Sequence, residues 1–291
     1  MNNRNNSTKY ILIELIAVMF LASAGIFVRR STLPPINTGL WRMVFSLPFL
    51  FLLAKNRIRD ISKKDMILAI ISGVLMAGDL VFFNMAIVTT SMANTNLLTN
   101  MTAFIIVPVS FFLFKEKIPK FYLFGLLISI LGVIILVLGK ADTSNKMNYV
   151  GDLFAVGACL FYSMYILITY KLRDRISSSV ILFYSAIGAI VCLIIVSGFI
   201  EGLKFPNTRY EVLNILIFAL CMQVIGQNLL AYCQGDISVN LSIAITLLQP
   251  VLASIYSLII FNEKMSIQEI IGMIVVIIGV YICKRQYNNA T

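Results

Sequence analysis

The chain has 291 residues, 59% of them hydrophobic and only 12% charged, with a mean hydropathy of +0.92. A soluble domain of this length carries far more charge, and no alternating ten-residue pattern suggests a β-barrel, so the composition points to an all-α membrane protein. The net charge of +10 needs no nucleic-acid partner, because Lys and Arg cluster in short connections beside apolar runs. The chain has no histidine, which removes Ser-His and Cys-His chemistry and His-ligated metals.

Ten apolar runs are long enough to cross a ~30 Å hydrocarbon layer as helices. After a polar start, "MNNRNNSTK", the first covers about 10–28 and lacks a small-residue cleavage site, so it reads as a span rather than a removed signal. It carries Glu14, about 7 Å from its centre toward the N-terminal side, expected at an inward vestibule or snorkelling to the interface, with a proton-carrier role as the functional reading. The second, about 36–54, follows Pro34-Pro35 and holds Trp41 and Arg42; the third, about 66–88, holds Asp79 and Asn84. The fourth, about 92–114, brings Asn94, Asn96 and Asn100, and the fifth covers about 121–139.

The sixth span, about 151–170, places Tyr162 and Tyr165 near its middle, and the seventh covers about 179–198. The eighth, about 212–233, carries Gln223, Gln227 and Asn228; the first two, four apart, share a helix face. The ninth, about 240–261, sets Gln249 beside Pro250, where a proline is expected to free a carbonyl and kink the helix. The tenth covers about 267–283. The five cysteines, Cys159, Cys192, Cys221, Cys233 and Cys283, all fall in apolar runs without metal-ligand spacing and read as small buried hydrophobes.

With the N-terminus inside, fifteen Lys and Arg lie in inner segments and seven in outer ones. That bias predicts a multi-pass protein of the cell membrane with both termini cytoplasmic. The chain also repeats itself. A shift of 147 lays Ser110 on Ser257, Phe114 on Phe261, Glu116 on Glu263, Lys117 on Lys264, Gly125 on Gly272 and Gly132 on Gly279. Shifts near 142 and 140 extend the match to the second and first spans, placing Arg42 on Tyr184 and Ser23 on Ser163. Five spans per copy is an odd number, so the second copy enters the membrane from the opposite side. The expected architecture is ten transmembrane helices as two inverted five-helix repeats, residues 1–145 and 146–291. Glycines seven apart in each copy are expected to pack against a neighbouring helix.

The segment "LLQPVLASIYSLIIFNEKMSIQEIIGMIVVIIGV", with an apolar run ending in an acidic "E-K" corner followed by "G-x6-G", resembles the EamA family of the drug/metabolite transporter superfamily. The first copy departs by placing Ala103 where the second has Pro250, with Pro108 nearby. The resemblance covers the chain through span count, repeat and corner. It implies a transporter fold and leaves the substrate open, since the family handles amino acids, nucleotide-like metabolites and drugs.

Ionisable groups within spans are expensive and stand as functional candidates. Arg42 and Asp79 lie about 4–5 Å and about 3 Å beyond their span centres, on the same side. An ion pair between them is geometrically available, either as a structural pair fixing helix register or as a charged cavity wall for a carboxylate, phosphate or zwitterion. The candidate substrate-binding set is Trp41, Arg42, Asp79, Asn84, Asn100, Tyr162, Tyr165, Gln223, Gln227, Asn228 and Gln249, with Glu14 and Asp79 as candidate proton-coupling groups. For Trp41 an interfacial belt position is the plainer alternative. The expected function is secondary transport, by export or exchange, of small polar metabolites such as amino acids or related zwitterions through alternating access. Facilitative uptake is the alternative. No cofactor or metal is expected, and the partners are the lipid bilayer and a small-molecule substrate, in a monomer or homodimer. An intramembrane enzyme is disfavoured by the missing histidines and nucleophile elbow, and a channel by the missing filter.

Overall fold

The structure, a computed structural model, describes residues 2–58, 61–90, 92–115, 118–139, 149–262 and 264–290. Glu116, Lys117 and Glu263 of the repeated corner lie outside them, as does the side chain of Asn94. Ten helical spans cross the molecule: Thr8–Arg30, Pro35–Ala54, Lys63–Ala86, Thr95–Phe114, Phe121–Gly139, Tyr149–Arg173, Ser178–Ile200, Arg209–Cys233, Val239–Phe261 and Ile267–Gln286. The hydropathy pattern anticipated all ten to within a few residues. Large apolar side chains stand exposed along them, Phe112 at 76% and Phe199 at 88%. That outward apolar surface is what lipid requires. Because the number of spans is even, both chain ends lie at one end of the bundle, here termed the terminal face.

Polar side chains set several helix starts. Ser62 accepts from the Asp65 amide, Thr208 from the Glu211 amide and Ser238 from the Leu241 amide. Ser266 and Glu269 form a reciprocal capping box, each side chain accepting the other's backbone N–H.

Four spans are not single α-helices among the described residues. The first is α1 (Asn2–Ala22) and α2 (Ala24–Arg30), broken at Ser23; α3 (Pro35–Ala54) and α4 (Lys63–Thr89) follow. The fourth span is α5 (Met92–Thr99) and α6 (Thr102–Phe114). Continuous helices α7 (Lys120–Gly139), α8 (Tyr149–Arg173) and α9 (Ser178–Ile200) come next. The eighth span runs α10 (Arg209–Phe218), a π-helical segment (Ala219–Gln227) and α11 (Asn228–Cys233), and the ninth is α12 (Val239–Thr246) and α13 (Gln249–Phe261), before α14 (Ile267–Ala290).

The two copies match beyond their residue identities. The break between α5 and α6 at Asn100–Met101 lies 147 positions before that at Leu247–Leu248. Among the described residues, the two non-glycine residues with positive φ, Lys115 at 54° and Asn262 at 53°, are the same distance apart. Each is a left-handed helix end whose N–H reaches the carbonyl of Ser110 or Ser257, another equivalent pair. Pro250 sits in the first turn of α13, a position proline fits without loss of an intrahelical bond. The first copy breaks at the equivalent place with Ala103 there, so the interruption belongs to the repeat and not to the proline alone.

The glycines pair the copies. A Cβ on Gly132 would lie 2.5 Å from the Val276 nitrogen and 2.9 Å from the Gly272 carbonyl oxygen; one on Gly279 would lie 2.7 Å from the Gly125 carbonyl oxygen and against Ser129. Ser129 and Val276 are equivalent under the 147 shift, so α7 and α14 meet across the pseudo-two-fold axis. Other helix pairings obey the same symmetry. Helix α4 packs on α8 as the π segment packs on α1, and α3 and α9 pack on each other across the axis.

Candidate functional site

Midway along α3, the Arg42 side chain enters the bundle and is 3% exposed. Its guanidinium lies 5.1 Å from the centre of the Phe218 ring, and Nη1 donates to the Met222 sulfur at 3.1 Å. Nε and Nη2 are buried without a partner. A thioether is a weak acceptor, and a cation over one phenyl face is only partly compensated.

Asp79 on α4 faces the same space and is half-buried. Arg42 and Asp79 feel each other's charge, but no ion pair within 4.0 Å joins them. The direct pair that their similar depth makes available is therefore not formed, although the two charges lie close enough to interact.

From the second copy, α8 contributes Tyr162 and Tyr165, stacked at 6.0 Å and 28°, both coupled electrostatically to Arg42 and Asp79. The Tyr165 hydroxyl donates weakly to Gln227 Oε1 at 3.4 Å. Gln223, on the same π segment, is fully buried with both amide atoms unpartnered, and Asn228 Oδ1 is unpartnered as well. π-Helical turns shift side-chain direction and lower ladder regularity, and they recur at functional sites. Here the π segment carries Met222, Gln223 and Gln227 into the centre.

The remaining candidates lie elsewhere. Trp41 packs tilted against Phe205 and Phe45, and its indole N–H donates to the Lys204 carbonyl in the connection after α9. That places the ring in the loop-side setting of an interfacial residue. Asn100 sits at the α5–α6 break and donates to the Asn96 carbonyl at 2.7 Å. Asn84 and Gln249 are half-buried on α4 and at the start of α13.

Glu14 departs from expectation. It neither snorkels nor faces open space: it is wholly buried, accepts a hydrogen bond from Ser242 on α12, and leaves Oε2 without a partner. Helix α1 is covered there by α11 and α12, so its side chain has no route to the interface. Nothing in the residue pattern marks Phe218 or Met222, which look like any span residues, or Ser242 and Asn240.

Among the described residues, no group of three or more His, Cys, Asp or Glu side chains could hold a metal ion.

The fold and this centre define a class: a multi-pass helical membrane protein of two inverted repeats with a buried, incompletely satisfied polar core walled by both. The chain matches the EamA-like transporter family over residues 8–138 and again over 149–284 and belongs to that family. It is 25% identical over 285 residues to the uncharacterized transporter YetK of Bacillus subtilis, covering 93% of this chain and 85% of the relative. It is 24% identical to an uncharacterized transporter of Methanothermobacter thermautotrophicus, covering 94% and 85%. A third, from Clostridium kluyveri, matches at 24% over 182 residues, which is 60% of this chain and 57% of that protein. One solved crystal structure superposes with a TM-score of 0.81 over 97% of this chain and 99% of its own, at 17% identity, and so shares the fold.

Proposed function

We propose that this protein is a secondary transporter, an exporter or exchanger, of small zwitterionic metabolites such as amino acids, working by alternating access around the Arg42–Asp79 centre. Residues 1–145 and 146–291 are its two halves, and both termini face the cytoplasm. The observation that carries the reading is the state of Arg42. A guanidinium held in a bundle interior with two idle donors, near a half-buried carboxyl with which it forms no ion pair, suits a ligand that supplies the missing acceptor and the missing donor. Arginine's fork matches a carboxylate, and Asp79 suits an ammonium. The stacked Tyr162 and Tyr165, with Phe218 and Met222, offer walls for an apolar or ring-bearing side chain.

The test is thermal unfolding of the purified protein against a panel of amino acids, monocarboxylates and amines. A bound ligand raises apparent stability by about 2.7 kcal/mol at a hundredfold excess over its dissociation constant. Zwitterions should raise the midpoint, molecules bearing only one of the two charges should raise it less, and Arg42→Gln should remove the shift. A shift that survives Arg42→Gln unchanged removes Arg42 from the site. Counterflow in proteoliposomes loaded with the active compound then distinguishes exchange from one-way export and from uptake.

A further inference from the structure

The two copies are in different states at the broken fourth and ninth spans. Helices α5 and α12 are equivalent under the 147 shift. In α12 every residue from Val239 to Ile245 is buried. In α5, Thr95 is buried but Asn96 through Thr99, and Asn100 at the break, are only half-buried. Helix α12 packs against α6 at the terminal face, whereas the equivalent contact at the other face, α5 against α13, is not made to comparable extent among the described residues. The fourth and ninth spans therefore converge toward the chain ends and diverge at the other end.

Four side chains tie α12 down. Ser110 on α6 donates to Asn240 Oδ1 at 2.9 Å, and Tyr122 on α7 donates to the Asn240 carbonyl at 2.7 Å. Ser242 donates to Glu14 on α1, and Gln234 Nε2 reaches the Ser242 oxygen at 3.5 Å. Glu14 differs from the rest because it is ionisable, wholly enclosed and half-satisfied. Among the described residues, no basic side chain is paired with it. Cys233 on α11 is the titratable group beside it, and that thiol points to the Tyr10 carbonyl. Tyr10 lies against Tyr232 and Asp236 at the terminal face, and Arg173 is spent on the carbonyls of Ala231, Tyr232 and Ile176. Further along α1, α13 brings Tyr256, bonded to the Met19 carbonyl; the π segment carries Cys221, and α2 ends in Arg29 and Arg30.

Resting on the transporter reading above, we propose that α12 is the terminal-face gate, hinged at Leu247–Leu248, and that Glu14 is a coupling-proton site that latches it. With a proton on Glu14, the acid is neutral and its enclosure under α12 costs no buried charge. Swinging α12 out admits water, and Glu14 releases its proton to that side alone; rebinding a proton lets the gate reseal. Proton release is then tied to one face of the membrane without any role for Asp79.

The test needs no substrate. Ala244, buried on α12, is replaced by cysteine, and the purified protein in lipid nanodiscs is treated with a membrane-impermeant maleimide between pH 6 and pH 9. Modification at that position is read by peptide mass spectrometry, and rates are corrected for thiolate content with a free cysteine peptide. With Glu14 present, the corrected rate should rise ~10-fold with pH, within the range usual for coupled sites. Glu14→Gln should hold it low and flat, since the amide oxygen still accepts from Ser242, and Ser242→Ala should raise it at every pH. The unfolding midpoint of each variant checks that it is folded. A corrected rate that is flat with Glu14 present overturns the proposal, as does a pH response that survives Glu14→Gln or disappears in Asp79→Asn. A flat profile would leave the zwitterion-shift test at Arg42 untouched, so the two readings fail separately.

Discussion

A buried guanidinium without full partners is costly to the folded protein, and function is the reason to keep one. An unsatisfied buried donor costs about 1–3 kcal/mol, more for a charged group. Ligand-free Arg42→Gln is therefore expected to unfold at the same temperature as the parent or higher while losing ligand stabilisation. Thermal unfolding with and without the active zwitterion measures both at once; a large loss of ligand-free stability would make Arg42 a structural residue. Asp79→Asn should keep the fold and lose the preference for ligands bearing an ammonium. Sequence reading nominated Arg42 and Asp79 because charge inside an apolar span is visible in one dimension. It could mark a direct pair only as available, because span depth says nothing of azimuth around a helix. Phe218 and Met222 were invisible because apolar residues in a span carry no signal of what they touch. Glu14 was misplaced because a carboxyl two turns into a helix reads as interfacial unless its covering helix is known.

At the scale of elements, the glycine seam between α7 and α14 was legible because identical spacing recurs in both copies. What the spacing could not say is that each copy's glycines pack against the other copy. The same substitution should have opposite effects at two glycines. Gly132→Ala drives a methyl group into the backbone of α14 and should destabilise by about 1–3 kcal/mol. Gly198→Ala, near the end of α9 with nothing within 4 Å of its Cβ, should stabilise by about 0.5–1 kcal/mol through helix propensity. Unfolding midpoints of the two variants decide it, and equal losses at both would dissolve the seam as an explanation. The π segment was not legible at all. Its span aligns with α4 without insertion, so the irregular turn is a property of packing and not of length. The ninth-span break was expected from Pro250, but its twin at Asn100–Met101 has no such mark.

At the scale of the whole molecule, ten spans and an inverted duplication were readable from hydropathy and a constant shift. The departure from symmetry, with α12 closed and α5 half-open, was not, because both copies encode the same broken helix. One sequence pattern that yields two arrangements in one chain is the property alternating access requires, with each half adopting in turn what the other shows. Locking the closed end should stop the cycle without blocking the site. Ser110 and Asn240 touch across the closed face, so Ser110→Cys with Asn240→Cys should join through a disulfide or a short bismaleimide. The joined protein should still show the zwitterion-induced rise in midpoint, because the diverging end of spans four and nine stays accessible. It should carry no counterflow in proteoliposomes until reduced. Persistent counterflow in the cross-linked protein would mean that spans four and nine do not part at this face during transport, and loss of ligand stabilisation would mean that the ligand enters from the terminal face.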